Sequence, residues 1–188
     1  KAIDQIVFEF GGLDMVISNA GIFPKSAEID AMPEDVWEKS MAVNVTSHQK
    51  FLKACLPFLA LGIDPAIVIM GSKNVPAPGP GAAAYSVAKA GLTQLARIAA
   101  MEFGKKGIRV NVLHPNAVYD TGIWTDEILK ARAKHYGLSV KAYKTNNIMS
   151  VEVTSKDVAQ LAVNMLSSTF SKVTGAQIPI DGGNDRVI

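Results

Sequence analysis

One cysteine, Cys55, occurs in the 188 residues. It excludes an intramolecular disulfide and suits a reducing compartment, so a cytoplasmic protein is expected. Its neighbours Phe51, Leu52, Leu56 and Phe58 are apolar, which makes it a core filler rather than a nucleophile. Excess charge is also missing. The formal net charge is +2, and no basic run forms the patch that nucleic acid requires. No apolar run approaches the roughly 18–20 residues of a membrane span, and the opening residues do not read as a secretory leader. No metal site is expected. A glycine-rich G-x-x-x-G-x-G turn is absent too, since Gly79-Pro80-Gly81 lies among prolines and not between a strand and a helix. Nucleic-acid binding and membrane insertion are thereby set aside.

What is present is a core-forming composition. Hydrophobic residues make up 48% and charged residues 19% of the chain, enough for one well-buried domain. Ile3, Ile6, Val7 and Phe10 fall at helical spacing before Gly11-Gly12, so a helix opens the chain without a cap and stops there. "LDMVIS" (13–18), "AIVIMG" (66–71), "IRVNVLH" (108–114) and "AQIPI" (176–180) read as strands. A long helix is expected from Met32-Pro33-Glu34 to about Leu56, where Pro57 helps end it. Others are expected over Tyr85–Phe103, around "WTDEILKARAKHYG" and "SVKAYK", and over 155–167 after the cap Thr154. Strands and helices alternate without hairpin signals, which predicts an α/β fold with a parallel sheet. In such sheets ligands bind beyond the carboxyl ends of the strands. Segments 19–31, 72–84, 114–153 and 181–188 are therefore expected to line one crevice.

Within those segments, Tyr85 and Lys89 stand four residues apart in "YSVAK", on one face of a helix. A phenol with a pKa near 10 is a poor base at neutral pH, and an ammonium beside it favours the phenolate. The bland alternative is an exposed Tyr with a snorkelling Lys. Ser72 follows the second strand and could hold a substrate oxygen while Tyr85 exchanges a proton with it, or could serve only the turn. Asn44, inside the long helix among weak helix formers, could hold a water or a backbone carbonyl near Lys89.

"SNAG" (18–21), Asn44, the "GS" ending at Ser72, "YSVAK" (85–89), "RVNVLHP" (109–115) and "TGAQIPIDGG" (174–183) stand in the order and spacing of short-chain dehydrogenases/reductases. The resemblance spans nearly the whole chain. It implies a Rossmann-like fold and hydride transfer between NAD or NADP, with NAD preferred, and a small alcohol, aldehyde or ketone. It implies Tyr85 as general acid/base, and Lys89 lowering the Tyr85 pKa and binding the nicotinamide ribose. Ser72 would orient the substrate and Asn44 would complete a water relay. Asn19, Ala20 and Gly21 would border the cofactor, and Pro115, Asn116 and Val118 would approach the nicotinamide. Asn116 departs from the glycine often found there, and Thr121 or Asp120 would stand in the place of the family's following threonine. A homodimer or homotetramer is implied, with helix packing drawn from Leu92, Leu95, Ala96, Ala99 and Ala100.

More narrowly, "HPNAVYDTGIW", "YGLSVKAYKTNNIM" and "DGGNDRVI" resemble the dehydrogenase portion of bifunctional rhamnulose-phosphate aldolase/dehydrogenases. That implies oxidation of lactaldehyde or a related compound in rhamnose catabolism, and fusion to an aldolase domain. His114, Trp124 and Asn146 would then face substrate, Trp124 with the alternative of anchoring its loop. Against the family, the first strand, glycine-rich turn and second strand are missing. Residues 1–188 are therefore expected to form a partial domain, N-terminally truncated, with about four strands and "LDMVISN" as an exposed apolar edge. Alone, such a chain is expected to be inactive and not to bind NAD(P), because its pyrophosphate anchor is missing. A catalytically silent assembly scaffold is the competing reading.

Overall fold

Four short segments assemble in chain order into one parallel sheet. They are β1 (Met15–Ser18), β2 (Ala66–Met70), β3 (Arg109–Pro115) and β4 (Gln177–Ile180), ordered β1-β2-β3-β4. The computed structural model describes residues 1–184; residues 185–188, part of one expected crevice segment and of the "DGGNDRVI" likeness, lie outside the described residues. The register runs Met15 against Ala66, Ala66 against Arg109 and Val112 against Gln177. The expected α/β architecture with a parallel four-stranded sheet is present.

The β2 strand is apolar throughout because the sheet is covered on both faces. Ile67 and Ile69 join Leu52, Cys55, Leu59, Leu92, Phe103 and Val112 in one core cluster. Ala66 and Val68 join Leu113, Ala162, Met165 and Leu166 in the other. Helices α3 (Ser47–Leu59) and α4 (Ala83–Gly104) supply the first cluster, and α7 (Ser155–Leu166) the second. The edge strand β1 buries Val16 and Ser18, while Met15 and Ile17 remain 44% and 39% exposed, matching the expected apolar edge.

Helix α1 (Ala2–Phe10) stops at Gly11, whose φ of 81° suits a residue without Cβ. The long helix expected over 32–56 is divided. Helix α2 (Glu34–Met41) passes through one π-type turn, Ala42–Thr46, before α3 begins. The wide turn coincides with Asn44, whose side chain is tied to the Ile22 backbone, and π-bulges commonly mark such sites. Pro57 does not end α3, which continues to Leu59.

Helices α5 (Asp126–His135) and α6 (Val140–Lys144) occupy the long segment after β3. Helix α7 opens with a capping box between Thr154 and Asp157. Asp120 accepts from Ser155 N–H at 2.9 Å and from Ser155 Oγ at 2.7 Å. Asp120 thus tethers the same helix start, and Thr121 Oγ1 donates to Val118 O at 2.8 Å. Both side chains considered for the family's threonine are engaged in local structure.

One assignment on α4 is corrected. Leu92, Ala96, Ala99 and Ala100 are at most 7% exposed and, with the partly buried Leu95, belong to the core. The spare apolar surface on this helix is instead Val87, Ile98 and Met101, at 47%, 40% and 68% exposed.

Candidate active site

The parallel sheet sets the loops after its strands side by side. Ala27 pairs with Ala82, linking the loops after β1 and β2. Lys73 N–H donates to Pro115 O at 2.9 Å, linking those after β2 and β3. Lys73 and Asp181, only 7% and 8% exposed, form an ion pair that ties in the loop after β4. The crevice expected from topology is therefore a connected set of loops.

Helix α4 begins at Ala83, so Tyr85 lies in its first turn and Lys89 one turn further on. Lys89 is 3% exposed, its Nζ donates to Met70 O at 2.8 Å and stands 5.9 Å from the Tyr85 ring centroid. The snorkelling alternative is removed by that burial. Phe23 covers the Tyr85 ring at a centroid distance of 4.7 Å. Burial pushes the Tyr85 phenol above its usual range, and the Ser72 hydroxyl pulls the other way by hydrogen bonding. The expected lowering by Lys89 is not found: desolvation sets the direction, and the opposing effect comes from Ser72. Ser72, 8% exposed, also accepts from Asn74 N–H at 3.2 Å.

Burial lowers Lys89 itself to about 8 from 10.5. Above pH 8 the folded amine loses a proton that the unfolded chain still holds, so stability rises between about pH 8 and 10.5. From pH 7.5 to 9.5 this contributes roughly 2 kcal/mol. Lys89→Met is expected to remove it. Urea unfolding of both chains at the two pH values checks this, and equal pH responses would refute the assignment.

Asn44 is fully buried. Its Oδ1 accepts from Ile22 N–H at 3.0 Å, and its Nδ2 donates to Ile22 O at 3.0 Å and Ser40 Oγ at 3.1 Å. Its direct partners are thus a backbone turn and a serine, and the expected water relay has to work around that clamp. Asn19, Ala20 and Gly21 form the exposed part of the same turn. A Cβ on Gly21 would stand 3.1 Å from Asn44 Oδ1 and 3.5 Å from Lys89 Nζ. Glycine therefore keeps a cradle open beside the ammonium.

His114, expected to face substrate, is buried at the end of β3. It is 4% exposed and lies behind Gly71, where a Cβ would come within 2.6 Å of its Nδ1. His114 Nε2 lies 3.2 Å from Gln177 Oε1, and Nδ1 lies 3.0 Å from Ser72 N and 2.9 Å from Ser72 O. Burial lowers its pKa, so the ring is held neutral and supports the Ser72 backbone. His48 was not singled out from sequence, although it follows Asn44 by one helical turn. It is 1% exposed and contacts Ser18 and the Ala20 carbonyl.

Pro115 and Asn116 hold the sheet end, Asn116 N–H donating to Ile180 O at 3.3 Å. Val118 is half-buried, its carbonyl accepting from Thr121. Trp124 packs on Tyr119 at 4.9 Å and lies 6.5 Å from Tyr143. Of its two expected roles, this geometry supports the loop anchor. Asn146 accepts from Asn184 Nδ2 at 3.0 Å. With Asn116, Tyr119, Tyr143 and Asp181 it lines a space of about 10 Å³, room for one water. The structure thus gathers Asn44, Ser72, Tyr85, Lys89 and the Asn19–Gly21 turn, and sets Trp124 and Asn146 towards the Asp181 side.

A family model described as enoyl-(acyl carrier protein) reductase matches residues 1–185. The chain is 34% identical to the uncharacterized oxidoreductase YuxG of Bacillus subtilis, over 97% of this chain and 27% of that protein. It is 33% identical to the short-chain dehydrogenase/reductase aba4 of Botryotinia fuckeliana, over 96% of this chain and 69% of that one. The fold is similar to that of carveol dehydrogenase from Mycobacterium avium, solved in complex with NAD. There the TM-score is 0.88 at 26% identity, covering 97% of this chain and 69% of the other. With a family match across nearly all its residues and relatives of this kind, the chain belongs to the short-chain dehydrogenase/reductase family.

Proposed function

We propose that the protein transfers a hydride between NAD(P) and a small alcohol or carbonyl compound. The observation that carries this is Tyr85 one helical turn from the buried Lys89, with the Ser72 hydroxyl reaching it from the end of β2. The residues present fit the nicotinamide and ribose end of the cofactor. The Gly21 cradle opens beside Lys89 Nζ, and Lys89, Tyr85 and the Asn19–Gly21 turn would hold that end. Pro115, Asn116 and Val118 would border the ring. Among the described residues no glycine-rich turn joins a strand to a helix, so these residues contribute little to the pyrophosphate. When bound, the nicotinamide supplies or accepts the hydride.

This chain's own task is the proton. Ser72 Oγ orients the substrate oxygen. The Tyr85 phenolate takes the hydroxyl proton as the alcohol becomes a carbonyl, and the phenol returns it in the reverse direction. Lys89 places positive charge near the phenol while holding the Met70 carbonyl. Desolvation raises the Tyr85 pKa, so in this structure the side chain is the phenol at neutral pH.

The finer proposal is NAD over NADP, a lactaldehyde-like substrate, a cytoplasmic setting and fusion to an aldolase domain. Its support is the sequence likeness after His114 and the long YuxG relative, of which the chain spans 27%. Absorbance at 340 nm tests the reading in the full-length polypeptide, with NAD or NADP and a panel of small alcohols and aldehydes. No turnover with any of them would refute it.

A dimer is proposed through the outer face of α4, where Val87, Ile98 and Met101 are exposed. Burying such a stripe against a second helix is favourable. Light scattering at micromolar concentration is expected to give at least twice the chain mass, and Met101→Lys to shift it towards the monomer. A monomeric parent chain would refute this interface.

A further inference from the structure

We infer that His48 is a positioning residue, a neutral clamp that fixes the turn on which Asn19, Ala20 and Gly21 lie. The ring bridges two points of that turn. His48 Nε2 lies 2.8 Å from the Ala20 carbonyl oxygen, and Nδ1 lies 2.6 Å from Ser18 Oγ. A carbonyl oxygen only accepts, so Nε2 carries the hydrogen. In the neutral ring Nδ1 is then left to accept from the Ser18 hydroxyl. One tautomer satisfies every polar atom of a side chain that is 1% exposed.

The clamp is continuous with a second one. Asn44, one turn earlier on the same helical column, holds both the N–H and the C=O of Ile22. Ser18, Ala20 and Ile22 are therefore held by two side chains of one column. These anchors on either side of Gly21 keep its cradle at its distance from Lys89 Nζ. Burial, together with the positive charge of Lys89, lowers the His48 pKa, against an opposing effect of the Ala20 carbonyl. The neutral form, with Nε2–H on the Ala20 carbonyl and Nδ1 accepting from Ser18, is thus the favoured one. His48 touches no reacting group and acts through the turn.

The catalytic consequence rests on the hydride-transfer reading, whereas the clamp itself does not. Imidazole ¹⁵N NMR of the chain at pH 7 is expected to show a neutral ring protonated on Nε2. His48→Ala is expected to speed amide exchange at Asn19–Ile22 by roughly tenfold, as loss of a buried hydrogen bond allows, with β2 and β3 unchanged. His48→Gln, which can still donate to the Ala20 carbonyl, is expected to restore most of the protection. In the full-length polypeptide His48→Ala should raise the KM for NAD(P) roughly tenfold with kcat little changed. A ring protonated on Nδ1 or a cationic ring at pH 7 would overturn the clamp, as would unchanged exchange in His48→Ala. A fall in kcat with KM unchanged would overturn its action through the turn. If the exchange responds but the wild-type polypeptide turns over no alcohol or carbonyl, the clamp stands and the hydride-transfer reading fails.

Discussion

Replacing Tyr85 with phenylalanine is expected to lower turnover by about 10²–10⁴-fold, the usual contribution of a positioned acid or base. The substitution removes one oxygen and keeps the ring. The packing of Phe23 on that ring, with centroids 4.7 Å apart, should persist, so the fold and melting temperature should change little. Lys89 keeps its bond to the Met70 carbonyl, and the Asn19–Gly21 turn keeps its anchors on Asn44 and His48. Cofactor affinity should therefore fall far less than kcat. Steady-state kinetics of both forms, with binding followed by nicotinamide fluorescence, separate the two effects. A Tyr85→Phe protein retaining more than about a tenth of wild-type kcat would mean that the proton moves by another route.

The second large effect is on stability, at Arg109. The residue is 6% exposed, and its guanidinium donates to Met165 O and Phe170 O at 3.2 Å each and to Leu166 O at 2.9 Å. These oxygens close the end of α7 and the turn after it, where a helix leaves its last carbonyls unpaired and carries partial negative charge. Asp64, at 3.4 Å and with a side chain 44% exposed, is the weaker partner. Arg109→Ala strands three carbonyls at once and is expected to cost roughly 3–5 kcal/mol. Arg109→Lys cannot reproduce the planar fork and should recover only part of that loss. Asp64→Asn should cost less than about 1 kcal/mol. Urea unfolding of the three variants orders them, and an Arg109→Ala loss below about 1 kcal/mol would remove the guanidinium from this role.

Much of the fold was legible because its signals are local. The apolar segments of β2 and β3, the glycine after α1 and the Thr154–Asp157 capping pair each act within a few residues. The Tyr85–Lys89 spacing follows from helical geometry alone. Topology then placed the loops together, because parallel strands put all their carboxyl ends on one side. The errors have one cause as well. Leu92, Ala96, Ala99 and Ala100 looked like interface material because composition does not say which side of α4 meets the sheet; the structure buries them. Pro57 looked like a stop, yet α3 continues to Leu59.

By itself the sequence determined the strand and helix order, the parallel architecture and the family to which the chain belongs. Those properties are carried by hydrophobic period, caps and motif order, all readable along one dimension. Only the tertiary structure decided what the buried polar side chains do. His114 turns from the crevice to support Ser72, 42 residues away. His48 closes on Ser18 across 30 residues, and Arg109 on Leu166 across 57. A histidine or arginine carries the same letter whether it meets substrate, a carbonyl or water. Its role is set by the partner that folding delivers, since a buried polar group is stable only with its hydrogen bonds made.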